Sequence, residues 1–411
     1  MNRVPGPQRS AKRCAADPGP FRTRRLERSR TGARFAKCEI ALQLMPENKL
    51  QHYVPKCHLR PFSLDSERSA INLYNIARGR LIKGAPIKGQ CARSYFYGTD
   101  PLLERALQEP EGAYAAVVAK VTCEPSSITS EDLACLREFT LLQTFRTYGY
   151  VEKLIAMADQ HYADIKAAAP GKPVPPRVLE NVEDAVNMAM RHFVDCRQHV
   201  RDLRTCLILN EARREFVTSD DPAIHINRFH FQKLKSDAFG LSSAGAMFFL
   251  PLTPKAAFIA FDDNIYFAPN WQGNTLVVSR DEEVSELNEL QILHSRQNLY
   301  YANPETGETL AAEFKELAAV RPAVWHKFKY FEKVRESEKE EIYRPVKTMT
   351  LEPGRHFLTS FQQVHVQPNR WTSLLKYRLR PRFVNTGTGA GCVRPNHPLL
   401  REKKRSWRRQ S

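Results

Sequence analysis

From residue 205 onward the chain changes character, and that change limits the folds open to it. Residues 205–209, 215–218, 223–226, 246–252 and 256–261 read as strands. The stretch before them reads as helices. Asp100-Pro101 offers an N-cap followed by proline at the first helical position. Pro110 is expected to break or restart that helix. Ser130 is expected to cap a longer helix, with Glu131 and Asp132 in its first turn, running to about residue 160 with a flaw at Gly149. Another helix is expected over about 177–204. Residues 167–176 hold four prolines and read as an internal loop. Further upstream, residues 71–76 alternate apolar and polar, 77–80 read as a turn, and Leu81-Ile82 opens a second strand, giving an N-terminal hairpin. A helix over 282–297 flanks the strands. The order implies an α+β fold: N-terminal hairpin, central helical run, then an antiparallel or mixed sheet with a flanking helix.

Charge then separates a body from two ends. The chain carries a formal net charge of +17. Residues 1–45 hold eleven Lys and Arg against three Asp and Glu, which is +8; residues 366–411 hold twelve against one, which is +11. The remaining body, 46–365, is therefore 17 − 19 = −2. Both ends are expected to be disordered basic segments, and Met45 offers an alternative start. Nucleic acid could be bound through those ends, while the near-neutral body argues against a nucleic-acid face of its own. The nine cysteines include no C-x-x-C pair, so free thiols in a reducing, cytoplasmic setting are expected. No apolar run of membrane-spanning length occurs, so no membrane association is expected.

Chemistry concentrates at residues 51–62, where His52, His58, Cys57 and Arg60 fall close together. Either histidine could act as a base or metal ligand, or simply bond the backbone. Glu104 and Glu111 lie seven apart, on one face if the helix passes through Pro110. They could hold a divalent cation or be solvated acids. Arg146 continues an apolar stripe through Cys135, Phe139 and Leu142. An arginine there snorkels outward or needs a carboxylate partner, for which Glu104, Glu111, Asp220 and Asp221 are candidates. Asp220 and Asp221 follow a strand, where a turn can carry metal ligands or form an ordinary Asx-turn. His192, Asp195 and His199 read as part of a solvated basic face. No P-loop, dinucleotide fingerprint, nucleophile elbow or H-E-x-x-H motif is present.

Taken in order, Gln51-His52-Tyr53-Val54-Pro55 with Leu59, Arg60 and Phe62, then Phe96-Tyr97, Glu104, Glu111, Gln143 with Arg146, Phe216 to Pro222, and Phe249 to Pro254 resemble domain-of-unknown-function family 4238. The resemblance covers roughly residues 48–305. It implies a mainly bacterial family without an established activity. Asp221 departs from the pattern, which often has Asn in that turn. Two functions remain open. One is a metal-dependent phosphodiesterase or nuclease-like hydrolase: His52, Arg146 and Asp220 catalytic, Glu104, Glu111 and Asp220 holding Mg or Mn. The other is a non-catalytic protein in which these residues form a buried polar network.

Overall fold

A computed structural model describes residues 49–337, 340–350, 352, 354–397, 400 and 406–409. The expected basic arm, 1–45, lies outside the described residues.

The chain enters through β1 (Leu50–His52), a helical turn α1 (Lys56–Leu59), the hairpin β2 (Ala70–Asn75) and β3 (Arg80–Pro86), and β4 (Ala92–Ser94). Four longer helices follow: α2 (Pro101–Cys123), α3 (Ser130–Arg146), α4 (Tyr148–Ala168) and α5 (Val182–Cys196). Next come β5 (Arg204–Asn210), β6 (Thr218–Ser219), β7 (Ile224–Ile226), β8 (Met247–Thr253), β9 (Ala256–Phe261), β10 (Tyr266–Phe267) and β11 (Thr275–Val278). Helix α6 (Asp281–His294), β12 (Asn298–Tyr301), α7 (Thr306–Leu317) and the strands β13 (His326–Glu336), β14 (Glu340–Val346) and β15 (Phe357–Gln363) complete the body. The fold is α+β.

Strict alternation builds the central sheet, ordered β11-β5-β9-β8-β7. Only β11 and β5 pair in parallel. In β8, Met247 and Phe249 join one apolar layer, while Phe248, Leu250 and Leu252 join the other. Residues of α2 and α3 cover the second face, including Tyr114, Val118 and Phe139. Residues of α6, including Val284 and Leu287, cover the first. The N-terminal hairpin is closed by distant chain: Leu73 pairs with Tyr300 of β12, which pairs in turn with Thr218 of β6. Strand β1 pairs with β4 and so lies beside this second sheet's connections.

Several boundaries differ from expectation for physical reasons. Helix α2 runs through Pro110 without a break. Buried Leu107 and Tyr114 anchor it on either side of the missing N–H bond. Helix α3 is capped by Thr129, not Ser130: its hydroxyl accepts from Asp132 N while Asp132 Oδ2 accepts from Thr129 N, a capping box. The break that follows falls at Thr147, whose ψ of 153° is extended and whose side chain caps α4. The helix expected over 177–204 occupies only Val182–Cys196. The tail expected to be disordered from 366 differs most. Leu374 and Leu375 are buried in the central core, and Arg394 is fully buried on Asp202.

Candidate active site

Two turns and one helix end converge on an open cleft of about 410 Å³. Pro55, extended at ψ 151°, ends β1 and starts α1, so His52 and Lys56 emerge on the same side. A turn at residues 95–98 presents Tyr97. Gly98 sits there at φ +88°, and a Cβ would lie 2.6 Å from the Glu183 carboxylate, so only glycine fits. Helix α2 supplies Glu104 and Glu111 from one face, and the last residue of α3 is Arg146. His52, Glu104, Glu111 and Arg146, singled out from sequence alone, therefore share this cleft.

Arg146 is 1% exposed. Its Nε and Nη2 donate to the Tyr97 hydroxyl at 3.0 and 2.8 Å, and Nη2 also donates to His52 O and to Glu111 Oε1 at 2.8 Å. Glu111 is thus the carboxylate that the buried guanidinium requires. Nη1 is buried and has no partner. Glu104 accepts from Gln51 Nε2 at 3.1 Å, and Gln51 Oε1 accepts from Tyr97 N. His52 Nε2 bonds the Lys88 carbonyl at 3.1 Å, which makes Nε2 the protonated nitrogen and leaves Nδ1 as the acceptor. Burial, assisted by the Lys56 charge, lowers the His52 pKa to about 4. His52 is therefore neutral at pH 7.

Sequence reasoning missed three cations of the cleft: Lys56, Arg60 and Lys88. Lys56 and Arg60 follow His52 at successive steps of four, a spacing open to reading once α1 is known. Lys88 arrives from the far end of the hairpin, and no local signal marks it.

The other candidates lie elsewhere. Asp220 does not line the cleft. It is 1% exposed, and its carboxylate accepts from the backbone N–H groups of Arg296, Gln297 and Asn298 at 3.0–3.2 Å. It ties β6 to the start of β12. The expected metal set of Glu104, Glu111 and Asp220 is accordingly not assembled. Glu111 is already paired with Arg146, and Asp220 is saturated by amides. Among the described residues no three His, Cys, Asp or Glu side chains come together as metal ligands. No step through Mg or Mn is derived from these residues.

His58 is a buried bridge rather than a base. Its Nδ1 meets the Tyr114 hydroxyl and its Nε2 the Thr218 hydroxyl, both at 2.8 Å, and burial lowers its pKa to about 3. Cys57 faces the Glu111 carbonyl, not His58, and burial pushes its thiol up to about 12. His192 accepts or donates a bond with Tyr150 and is not a purely solvated residue. Asp221 sits in a separate polar pocket of about 30 Å³ with Lys153 and Arg296. Burial raises Asp221 to about 6 and lowers Lys153 to about 7. Thr147 Oγ1 donates to Asp221 at 2.9 Å, which links this pocket to the helix break.

Fold and site together define an α+β protein whose N-terminal turn and helical run enclose a cleft with more cations than carboxylates. A family model described as protein of unknown function (DUF4238) matches residues 50–305, and the chain belongs to that family. No curated protein and no solved structure matches it. Among the described residues, no helix is long and apolar enough to cross a membrane.

Proposed function

We propose that the cleft binds a phosphate group and hydrolyses a phosphodiester, with His52 as the base and Arg146 and Lys56 as the charges facing the phosphate. The supporting observation is the meeting of a neutral histidine, with its Nδ1 free to accept, and a buried guanidinium with an unpartnered Nη1 in one open cleft. In the step proposed, His52 Nδ1 takes a proton from water as the water oxygen bonds to phosphorus. The ester P–O bond breaks, and the departing oxygen takes a proton from solvent. A bound phosphate offsets the Lys56 and Arg146 charges that depress His52, which moves its pKa up toward the working pH. Nucleic acid is the proposed substrate class. Its contact is with the cleft cations rather than the tail, where Arg370 and Arg394 are already paired with Glu289 and Asp202. A bacterial cytoplasm fits the free cysteines among the described residues.

A second reading has its own support. The amide-saturated Asp220 and the Arg146–Glu111 pair are what a structural polar network contains. One assay separates the two. The full chain is incubated with single- and double-stranded DNA and with RNA, with and without EDTA, beside His52→Ala. His52 is half-exposed, and its ring bonds one carbonyl, so the variant should keep its fold. Cleavage that survives EDTA and is lost in His52→Ala at unchanged melting temperature supports hydrolysis. No cleavage by a folded chain favours the network.

A further inference from the structure

The cleft does not end at Arg60. A second hollow, of about 670 Å³, adjoins it, and the two share Cys57, Arg60 and Ala115 as common wall. Helix α2 runs beneath both, from Glu111 in the first to Thr122 in the second. At 1.5 Å per residue those positions lie about 16 Å apart along the axis. The groove is long enough for more than a phosphate.

Each hollow also holds one buried side-chain atom with no partner. In the first it is Arg146 Nη1, a donor; in the second it is Glu215 Oε2, an acceptor. The other acid of the second hollow, Asp65, is already bonded to Ser69. Burying a charged group's atom without a hydrogen bond is unfavourable, so both ends are chemically incomplete, with opposite needs.

We infer that the groove takes an elongated ligand with a phosphate at the Arg146 end and an amino or ammonium group at the Glu215 end. This rests on the phosphate reading of the cleft and adds Glu215 as the residue that selects the far end. Two ligand sources carry this chemistry: a nucleotide whose base has an exocyclic amine, which a carboxylate can accept from, and an alkylammonium phosphate ester.

The test measures binding of two matched pairs to the full chain by calorimetry: CMP against UMP, and 6-aminohexyl phosphate against hexyl phosphate. In at least one pair the amine-bearing member should bind about ten- to a hundred-fold tighter, the range of a hydrogen bond to a charged, buried group. The pair that shows the difference identifies the source. Glu215→Ala should erase that difference and leave the affinity of the amine-free member unchanged. Exposed Lys56→Ala, used because Arg146 is too buried to replace safely, should weaken all four. Equal affinities within both pairs, or no effect of Glu215→Ala, overturn the inference while the phosphate reading stands. Failure of all four to bind overturns both.

Discussion

Arg146 shows how one residue can be structural and chemical at once. Two nitrogens of its guanidinium are held by Tyr97, Glu111 and a backbone carbonyl, and the third is left over. Removing Glu111 would leave a charge that is 1% exposed without its counter-ion. Glu111→Ala should therefore lower stability by about 2–3 kcal/mol, below the full cost of breaking a buried pair because Tyr97 and the carbonyl still accept. Glu104→Gln keeps an acceptor for Gln51 and should change stability by less than about 0.5 kcal/mol. Urea titration of the two variants compares them. His58 adds a pH dependence with a definite sign. Its pKa is 6.5 as a free residue and about 3 when folded, because burial disfavours the charged ring. The unfolded chain therefore binds the proton first. Stability carried by neutral His58 is complete above pH 6.5 and is lost as pH falls toward 3. At pH 5 that loss is about 2 kcal/mol. His58→Asn should be less stable at pH 7 yet show a shallower fall between pH 6.5 and 4, read from denaturant midpoints. His225 and His294, also depressed by burial, should keep part of the slope. At this scale residue type and helical spacing made four cleft residues legible in the sequence. Asp220 was not legible as structural, since its partners are amides more than seventy positions away.

Among the elements, helix ends decide where the site residues point. Arg146 reaches the cleft because α3 stops there, and α3 stops because Thr147 turns extended and caps the next helix. The same reasoning fixes the start of α3. Thr129→Ala removes the hydroxyl that accepts from Asp132 N and should cost about 1 kcal/mol. Ser130→Ala, one position inside, bonds only its exposed neighbour Glu131 and should be nearly neutral. Thermal melts of the pair give the outcome, and equal losses would sink the assignment of the cap. Sequence pattern located the elements well where periodicity was long, as in β8 and β9. It misplaced their ends, because Ser, Thr and Gly neighbours offer competing caps and only the tertiary partner chooses among them. Thr147 is chosen by Asp221. Gly149 is chosen for closeness instead: a Cβ there would lie 3.0 Å from the Arg296 side chain.

For the whole molecule, the segment after the family match is the informative part. The match covers 50–305, and the basic composition beyond 366 reads as a separate disordered tail. Composition misleads here because two arginines of that segment are consumed inside. Arg394 donates to Asp202 and to the carbonyls of Leu241 and His199, and Arg370 pairs with Glu289, which is 2% exposed on its side chain. Leu374 and Leu375 sit in the same apolar layer as α6. Each buried leucine contributes about 1.5–3 kcal/mol, and losing Arg394 and Arg370 strands two acids. These terms together are comparable with the whole stability of an ordinary domain, about 5–15 kcal/mol. A chain ending at 365 should consequently be unfolded or molten near room temperature, although it contains every residue of the cleft. Circular dichroism and denaturant titration of chains ending at 365 and at 397 make the comparison. Cooperative unfolding of the longer chain alone is the expected result. Equal midpoints for the two would show that the segment rests on the body without stabilising it.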